Sequence, residues 1–147
     1  MKWLSMLSFA QIARGADPLP DRAVAEWVLR TGGFVVLAGR QGRIWDVAEL
    51  PAGEFRLHTV NLIGVVLALP ELEQLRGLSH LKELYLSGRF WHNVPSAECE
   101  ESLRFLATLT GLEKFSVSEP VQTDIPIQDN GIAHVAKLPN LRELRID

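Results

Sequence analysis

A single pattern recurs through the second half of this chain: apolar-x-x-apolar-x-x-apolar-x-apolar. It runs through Leu78, Leu81, Leu84 and Leu86, then Leu109, Leu112, Phe115 and Val117, then Leu138, Leu141, Leu144 and Ile146. A fainter copy passes through Leu57, Val60 and Leu62. The last apolar positions of the four copies lie 24, 31 and 29 residues apart, a period of the kind that stacked structural repeats show. The final x-apolar-x-apolar of each copy alternates with period two, the mark of a short strand with one buried face. Ahead of the copies lie helical spacings: Leu72-Leu75-Leu78, Leu103-Leu106-Leu109 and Ile132-Val135-Leu138. Each unit is then a strand and a helix too small to bury its own apolar face, and stacking joins those faces into one core.

Local signals place the helix starts. Pro70 suits a first helical position. Ser96 can cap a helix whose first turn carries Glu98, Glu100 and Glu101, and Asp129 can cap a short helix through Ala136. Residues 21–53 break the repeat. Asp21 can cap an amphipathic helix with Val24, Trp27 and Val28 on one face, stopped at Gly32-Gly33. The run from Phe34 to Ala38, the loop Gly39–Gly42 and the run Arg43–Trp45 read as a hairpin. Helix and hairpin together form an N-terminal cap that shields the first unit, with Trp27 and Trp45 as large fillers.

These residues resemble the leucine-rich-repeat family, in the short bacterial-type and F-box-like variety, whose unit opens L-x-x-L-x-L. Leu81-x-x-Leu84-x-Leu86 and Leu141-x-x-Leu144-x-Ile146 carry the likeness, and Asp129–Leu138 is similar to the helix-bearing half of such a unit. The resemblance covers residues 54–147. It implies an α/β solenoid with parallel strands on a concave face, helices on the convex face, and an arc used for protein recognition. One departure stands out: the polar ladder position after each strand holds Val65, Arg89 and Pro120 instead of Asn or Cys. Leu19-Pro20-Asp21 is similar to the opening of an F-box, implying a ubiquitin-ligase-like substrate adaptor, but Gly32-Gly33 follows too soon.

The net charge of −3 leaves no basic footprint for nucleic acid. No run of about 20 apolar residues is present to span a membrane. One cysteine, Cys99, excludes an internal disulfide and fits a reducing, cytoplasmic setting. Residues 1–20 form a leader that reads two ways. Lys2 before the apolar run Trp3–Ala10, with Ala13-Arg14-Gly15 behind, is a signal-peptide arrangement, and export follows from it. Ser5 and Ser8 break the run and favour an amphipathic turn with Leu4, Leu7 and Ile12 inward.

The catalytic inventory is thin. His58, His80, His92 and His134 fall in different units, and no phosphate loop, nucleophile elbow or metal spacing occurs. Cys99 stands near a helix start, where a thiol pKa can fall, but no histidine partner can be named. The expectation is no enzyme, no cofactor and no metal. Strand alternation turns Thr59, Asn61 and Ile63 outward, with Glu83, Tyr85 and Ser87, Lys114, Ser116 and Ser118, and Glu143, Arg145 and Asp147. Parallel neighbours sit about 4.8 Å apart, so Glu83, Lys114 and Glu143 share one row. This face reads either as a recognition surface anchored by Tyr85, Lys114 and Arg145 or as a solvated sheet face. Residues beyond the shortest spacing add Arg89, Phe90 and His92 in a loop beside Glu119–Asp129, with Trp91 tucked inward and Phe90 and His92 outward.

The functional expectation is a non-catalytic protein–protein interaction module. A structural subunit of a larger complex is the alternative. Leu84 and Leu144 are equivalent core positions. Ile146-Asp147 lies on the last strand, so a second copy of the chain or a partner strand is expected to cover that edge.

Overall fold

The computed structural model describes residues 20–118 and 129–147. Along the chain lie α1 (Asp21–Thr31), β1 (Phe34–Leu37), β2 (Leu57–Asn61), β3 (Glu83–Ser87), α2 (Ser96–Ser102), β4 (Lys114–Ser118), α3 (Asp129–Ala136) and β5 (Glu143–Ile146). Short 3₁₀ turns occupy Val47–Glu49, Leu69–Leu75, Gly88–Trp91 and Arg104–Thr108. The five strands form one sheet in the order β1-β2-β3-β4-β5. β1 pairs antiparallel with β2, and every later pair is parallel. The protein is a mixed α/β fold with a mostly parallel sheet.

The repeated pattern sets the phase of this sheet. Leu84 and Leu86 of β3, and Phe115 and Val117 of β4, point into one core with Leu72, Leu75, Leu103, Leu106 and α1's Val24 and Val28. All of these are at most 1% exposed, and a leucine moved from water into such a site contributes about 1.5–3 kcal/mol. The crossovers and α1 therefore cover one face of the sheet. The crossover segments are less α-helical than expected. Leu69–Leu75 and Arg104–Thr108 are 3₁₀ turns, because apolar residues spaced by three (Leu69, Leu72, Leu75) line up on a three-residue turn. Glu71 closes the first of these, its carboxylate accepting the Ala68 N–H at 2.7 Å.

The N-terminal part departs from a helix and hairpin. β1 joins the main sheet, with Phe34 opposite Asn61 and Val36 opposite Thr59. The second arm of the hairpin shrinks to one bridge between Ile44 and Val35. Trp45 is 55% exposed and fills no core, since with only Ile44 bridged the chain leaves the sheet before Trp45 can turn inward. Asp21 is not a cap: Pro20 holds that position, and the Asp21 carboxylate accepts the Leu57 N–H at 2.7 Å. Arg22 donates to the carbonyls of Pro51 and Gly53 and lies 4.9 Å over the Phe55 ring. The start of α1 thus ties down the segment entering β2. Gly33 is buried where a Cβ would strike the Asn61 carbonyl, so only glycine lets α1 turn this closely onto β2.

Other links replace the missing polar ladder. Asn61 Oδ1 accepts the Ile63 N–H at 3.0 Å and Ser87 Oγ accepts the Arg89 N–H at 3.3 Å, each closing the turn two residues on. Thr108 Oγ1 accepts the Gly77 N–H at 2.9 Å and Asn140 Nδ2 donates to the Thr110 carbonyl at 2.9 Å, so neighbouring turns are bonded to each other. Leu144 departs from the core reading: it is 43% exposed and Ile146 39%, because no further strand or crossover lies against β5 among the described residues. Leu4, Leu7 and Ile12 of residues 1–19, Pro120 and the rest of residues 119–128, and the Ile132 side chain lie outside the described residues.

Candidate interaction surface

The face opposite the crossovers is built by strand alternation. Thr59, Glu83, Lys114 and Glu143 form one row by register, and Phe34, Asn61, Tyr85, Ser116 and Arg145 form the next. Large side chains in these rows are joined through their charges. The Tyr85 hydroxyl donates to Glu83 Oε1 at 2.6 Å. The Lys114 ammonium stands 5.4 Å over the Tyr85 ring and 3.4 Å from Glu143. Arg145 Nε donates to the same Glu143 oxygen at 2.8 Å. His58 adds a bond of 2.8 Å to Thr59 Oγ1 and lies 3.9 Å from Glu83.

Burial and the Glu83 hydrogen bond push the Tyr85 phenol above its ordinary value, with Lys114 pulling the other way. The Tyr85 hydroxyl and Glu143 hold the Lys114 ammonium above its usual value. The Tyr85 phenol is thus held between Glu83 and Lys114 of the neighbouring row. Small residues of these rows sink between the large ones: Thr59 is 6% and Ser116 4% exposed, and Ser87 of the following row is fully buried. They offer little to a partner, contrary to a reading in which every alternate residue stands open.

Tyr85, Lys114 and Arg145 are thus brought together, with Glu83 and Glu143 as the groups that connect them. Arg89, on the 3₁₀ turn after β3, and His92, just past it, are exposed beyond the strand itself. Phe90 does not face outward. It is 6% exposed, with its ring centroid 6.0 Å from that of Trp91. The tight turn carries both rings inward, and Trp91 Nε1 donates to Ser102 Oγ at 3.0 Å. Phe90 is accordingly a core residue and no contact for a partner.

Sequence reasoning missed the aromatic end of this face. Phe34 heads the second row, the exposed Trp45 ring lies 4.7 Å from it, and the Arg43 guanidinium stands 4.8 Å over it. Only the joining of β1 to β2 places this group in line with Tyr85, and no local pattern reports that pairing. Cys99 is fully buried in the seven-residue α2, and burial with Glu98 and Glu100 pushes its thiol up, away from reactivity. Among the described residues no three of His, Cys, Asp and Glu converge on a point, and no helix is long and apolar enough to cross a membrane.

Fold and surface together define a small α/β protein whose most organised chemistry lies on an open sheet face. No protein-family model matches the chain. It is similar to ATP synthase subunit s, mitochondrial, of Rattus norvegicus, at 25% identity over 147 residues, 97% of this chain and 70% of that protein. It is also similar to the Homo sapiens protein of the same name, at 26% over 131 residues, 87% of this chain and 62% of that protein. The chain thus spans about two thirds of the length of these curated relatives.

These likenesses correct three expectations. The relatives are named as a subunit of a larger complex, which overturns the stand-alone interaction module and favours the structural-subunit alternative. Nothing in the names speaks of leucine-rich repeats, a solenoid scaffold or a substrate adaptor. They are also named mitochondrial, which overturns the cytoplasmic and exported placements. The reason for the errors is physical. A repeat of apolar residues reports how units bury one face, and says nothing of what the other face meets or in which compartment.

Proposed function

We propose that this chain is a non-catalytic subunit of a larger mitochondrial assembly of the ATP synthase kind, held there by protein–protein contact. The single observation that carries the reading is the similarity to rat ATP synthase subunit s along 97% of the chain. The sheet face supports it. Tyr85 and Arg145 are of the types enriched at the centres of interfaces, Lys114 stands over the Tyr85 ring, and Trp45 extends the same surface with an exposed ring. Arg89 and His92 belong to the rim of this surface. The thin set of catalytic groups supports a role in assembly over chemistry.

Two finer points go with the reading. Residues 21–53 act as an end piece, since β1 pairs antiparallel with β2 where the other described pairs are parallel. Residues 54–147 act as a stack of like strand-and-crossover units.

The test is to express the tagged chain in cells of its own source, fractionate them, and resolve mildly solubilised mitochondria on native gels. Co-migration with ATP synthase is expected, and Tyr85→Ala with Trp45→Ala should shift the chain to its free position. A chain that stays outside mitochondria, or that never enters a complex, overturns the reading.

A further inference from the structure

β5 is the outermost strand of the sheet among the described residues. Its odd-numbered residues turn their backbone toward β4: Glu143 N–H reaches the Glu113 carbonyl at 3.0 Å, and Asp147 N–H the Val117 carbonyl at 3.1 Å. By alternation the N–H and C=O groups of Leu144 and Ile146 point away from the sheet, and no described strand meets them. The side chains of the same two residues lie on the core side and are 43% and 39% exposed. An apolar strip and a row of free backbone groups thus share one edge, guarded by Glu143 and Arg145 on the outward face.

We infer that a second copy of this chain pairs antiparallel along β5, about a two-fold axis through Leu144. The charges carry the choice of occupant. In this register Leu144 meets the second copy's Leu144 and exchanges both backbone hydrogen bonds with it. Glu143 then stands opposite the second copy's Arg145, and Arg145 opposite its Glu143, so one strand satisfies itself twice. Directly opposed opposite charges stabilise a strand pair, and like charges destabilise it.

The neighbouring registers oppose like charges or pair less of the strand. Moving the axis to Arg145 sets Arg145 against itself and Glu143 against Asp147. Moving it to Ile146 sets Arg145 opposite Asp147, beyond the strand, and leaves Glu143 and Leu144 opposite no residue of β5. Glu143 is already held by Lys114 on its inner side at 3.4 Å, so the pairing extends the row Glu83–Lys114–Glu143 across the axis. The result is one continuous sheet of ten strands with Leu144 and Ile146 covered, and the face bearing Tyr85 left open. This pairing is a property of the isolated chain and does not rest on the subunit reading.

The experiment is sedimentation velocity of the purified full chain over a concentration series, with far-UV circular dichroism to verify folding. The parent chain is expected to move from 16.4 kDa toward twice that mass as concentration rises. E143R and R145E each set like charges in opposition twice, and each should weaken the dimer by about tenfold or more. An equimolar mixture of E143R with R145E restores opposite charges at both positions and should dimerise again. Leu144→Cys provides an independent reading. Paired α-carbons about 5.5 Å apart suit a disulfide, so mild oxidation should crosslink it across the axis, and Asn140→Cys should not crosslink. A parent chain that stays monomeric at high concentration overturns the proposal. So does an E143R variant that dimerises as tightly as the parent, or a mixture of variants that gains nothing.

Discussion

β4 and β5 are written in almost the same pattern, Leu112-x-x-Phe115-x-Val117 and Leu141-x-x-Leu144-x-Ile146, and they end in opposite states. Phe115 is 1% exposed and Val117 0%, while Leu144 is 43% exposed and Ile146 39%. Both strands pair in the same parallel register with the strand before them. What differs is the neighbour on the far side, which β4 has and β5 lacks among the described residues. Pattern sets the direction of a side chain, and the next unit decides whether that direction is dry.

The largest effect that tests this contrast is truncation at equivalent positions. Phe115→Ala should cost about 3–5 kcal/mol and Leu84→Ala about 2–5 kcal/mol, because each opens a cavity in a closed core. In urea unfolding at low protein concentration, Leu144→Ala should cost less than half of the Leu84→Ala value. Equal losses would break the comparison.

A second test compares the turns entering the two strands. Gly111 lies where a Cβ would strike the Ser79 carbonyl, whereas Asn140 holds the equivalent place before β5 and is exposed. Gly111→Ala should therefore destabilise by about 1–3 kcal/mol through forced backbone movement, and Asn140→Ala only by the loss of its bond to Thr110. Thermal melts of both variants measure the difference. Ser102→Ala belongs in the same range, about 1–3 kcal/mol, because it strips the buried Trp91 Nε1 of its acceptor.

The outward face should respond far less. Glu143→Gln removes a carboxylate shared by Lys114 and Arg145, yet all three groups are partly solvated. The loss should stay below about 1 kcal/mol and fade in high salt. The smallest effect is the sharpest to read, because Tyr85 is the chain's one tyrosine. Burial and Glu83 hold its phenol above the ordinary tyrosine value, so the stability it contributes is present below the unfolded value and is lost as pH rises through the folded one. Tyrosinate absorbance should show that raised midpoint, and Glu83→Gln should bring it down. A midpoint that ignores Glu83 would detach Tyr85 from the charge row.

Much of the candidate surface was legible because strand alternation and repeat equivalence are local properties. Once Leu84, Phe115 and Leu144 are recognised as equivalents, Glu83, Lys114 and Glu143 must fall in one row and Tyr85 and Arg145 in the next, as the register shows. The three-residue spacing of Leu69, Leu72 and Leu75 was also there to be read as a 3₁₀ turn. The illegible parts all depend on contacts between distant segments. Trp45 lies beside Phe34 in the open because β1 pairs with β2 and Ile44 alone bridges back. Phe90 is buried because the turn after β3 folds onto α2, where Ser102 receives Trp91. Leu144 is wet because nothing described stacks on β5. Alternation is written into a few consecutive residues by backbone geometry, so the chain alone specifies which way each side chain points. Burial is the free energy of meeting another segment, and only the assembled fold decides which segments meet.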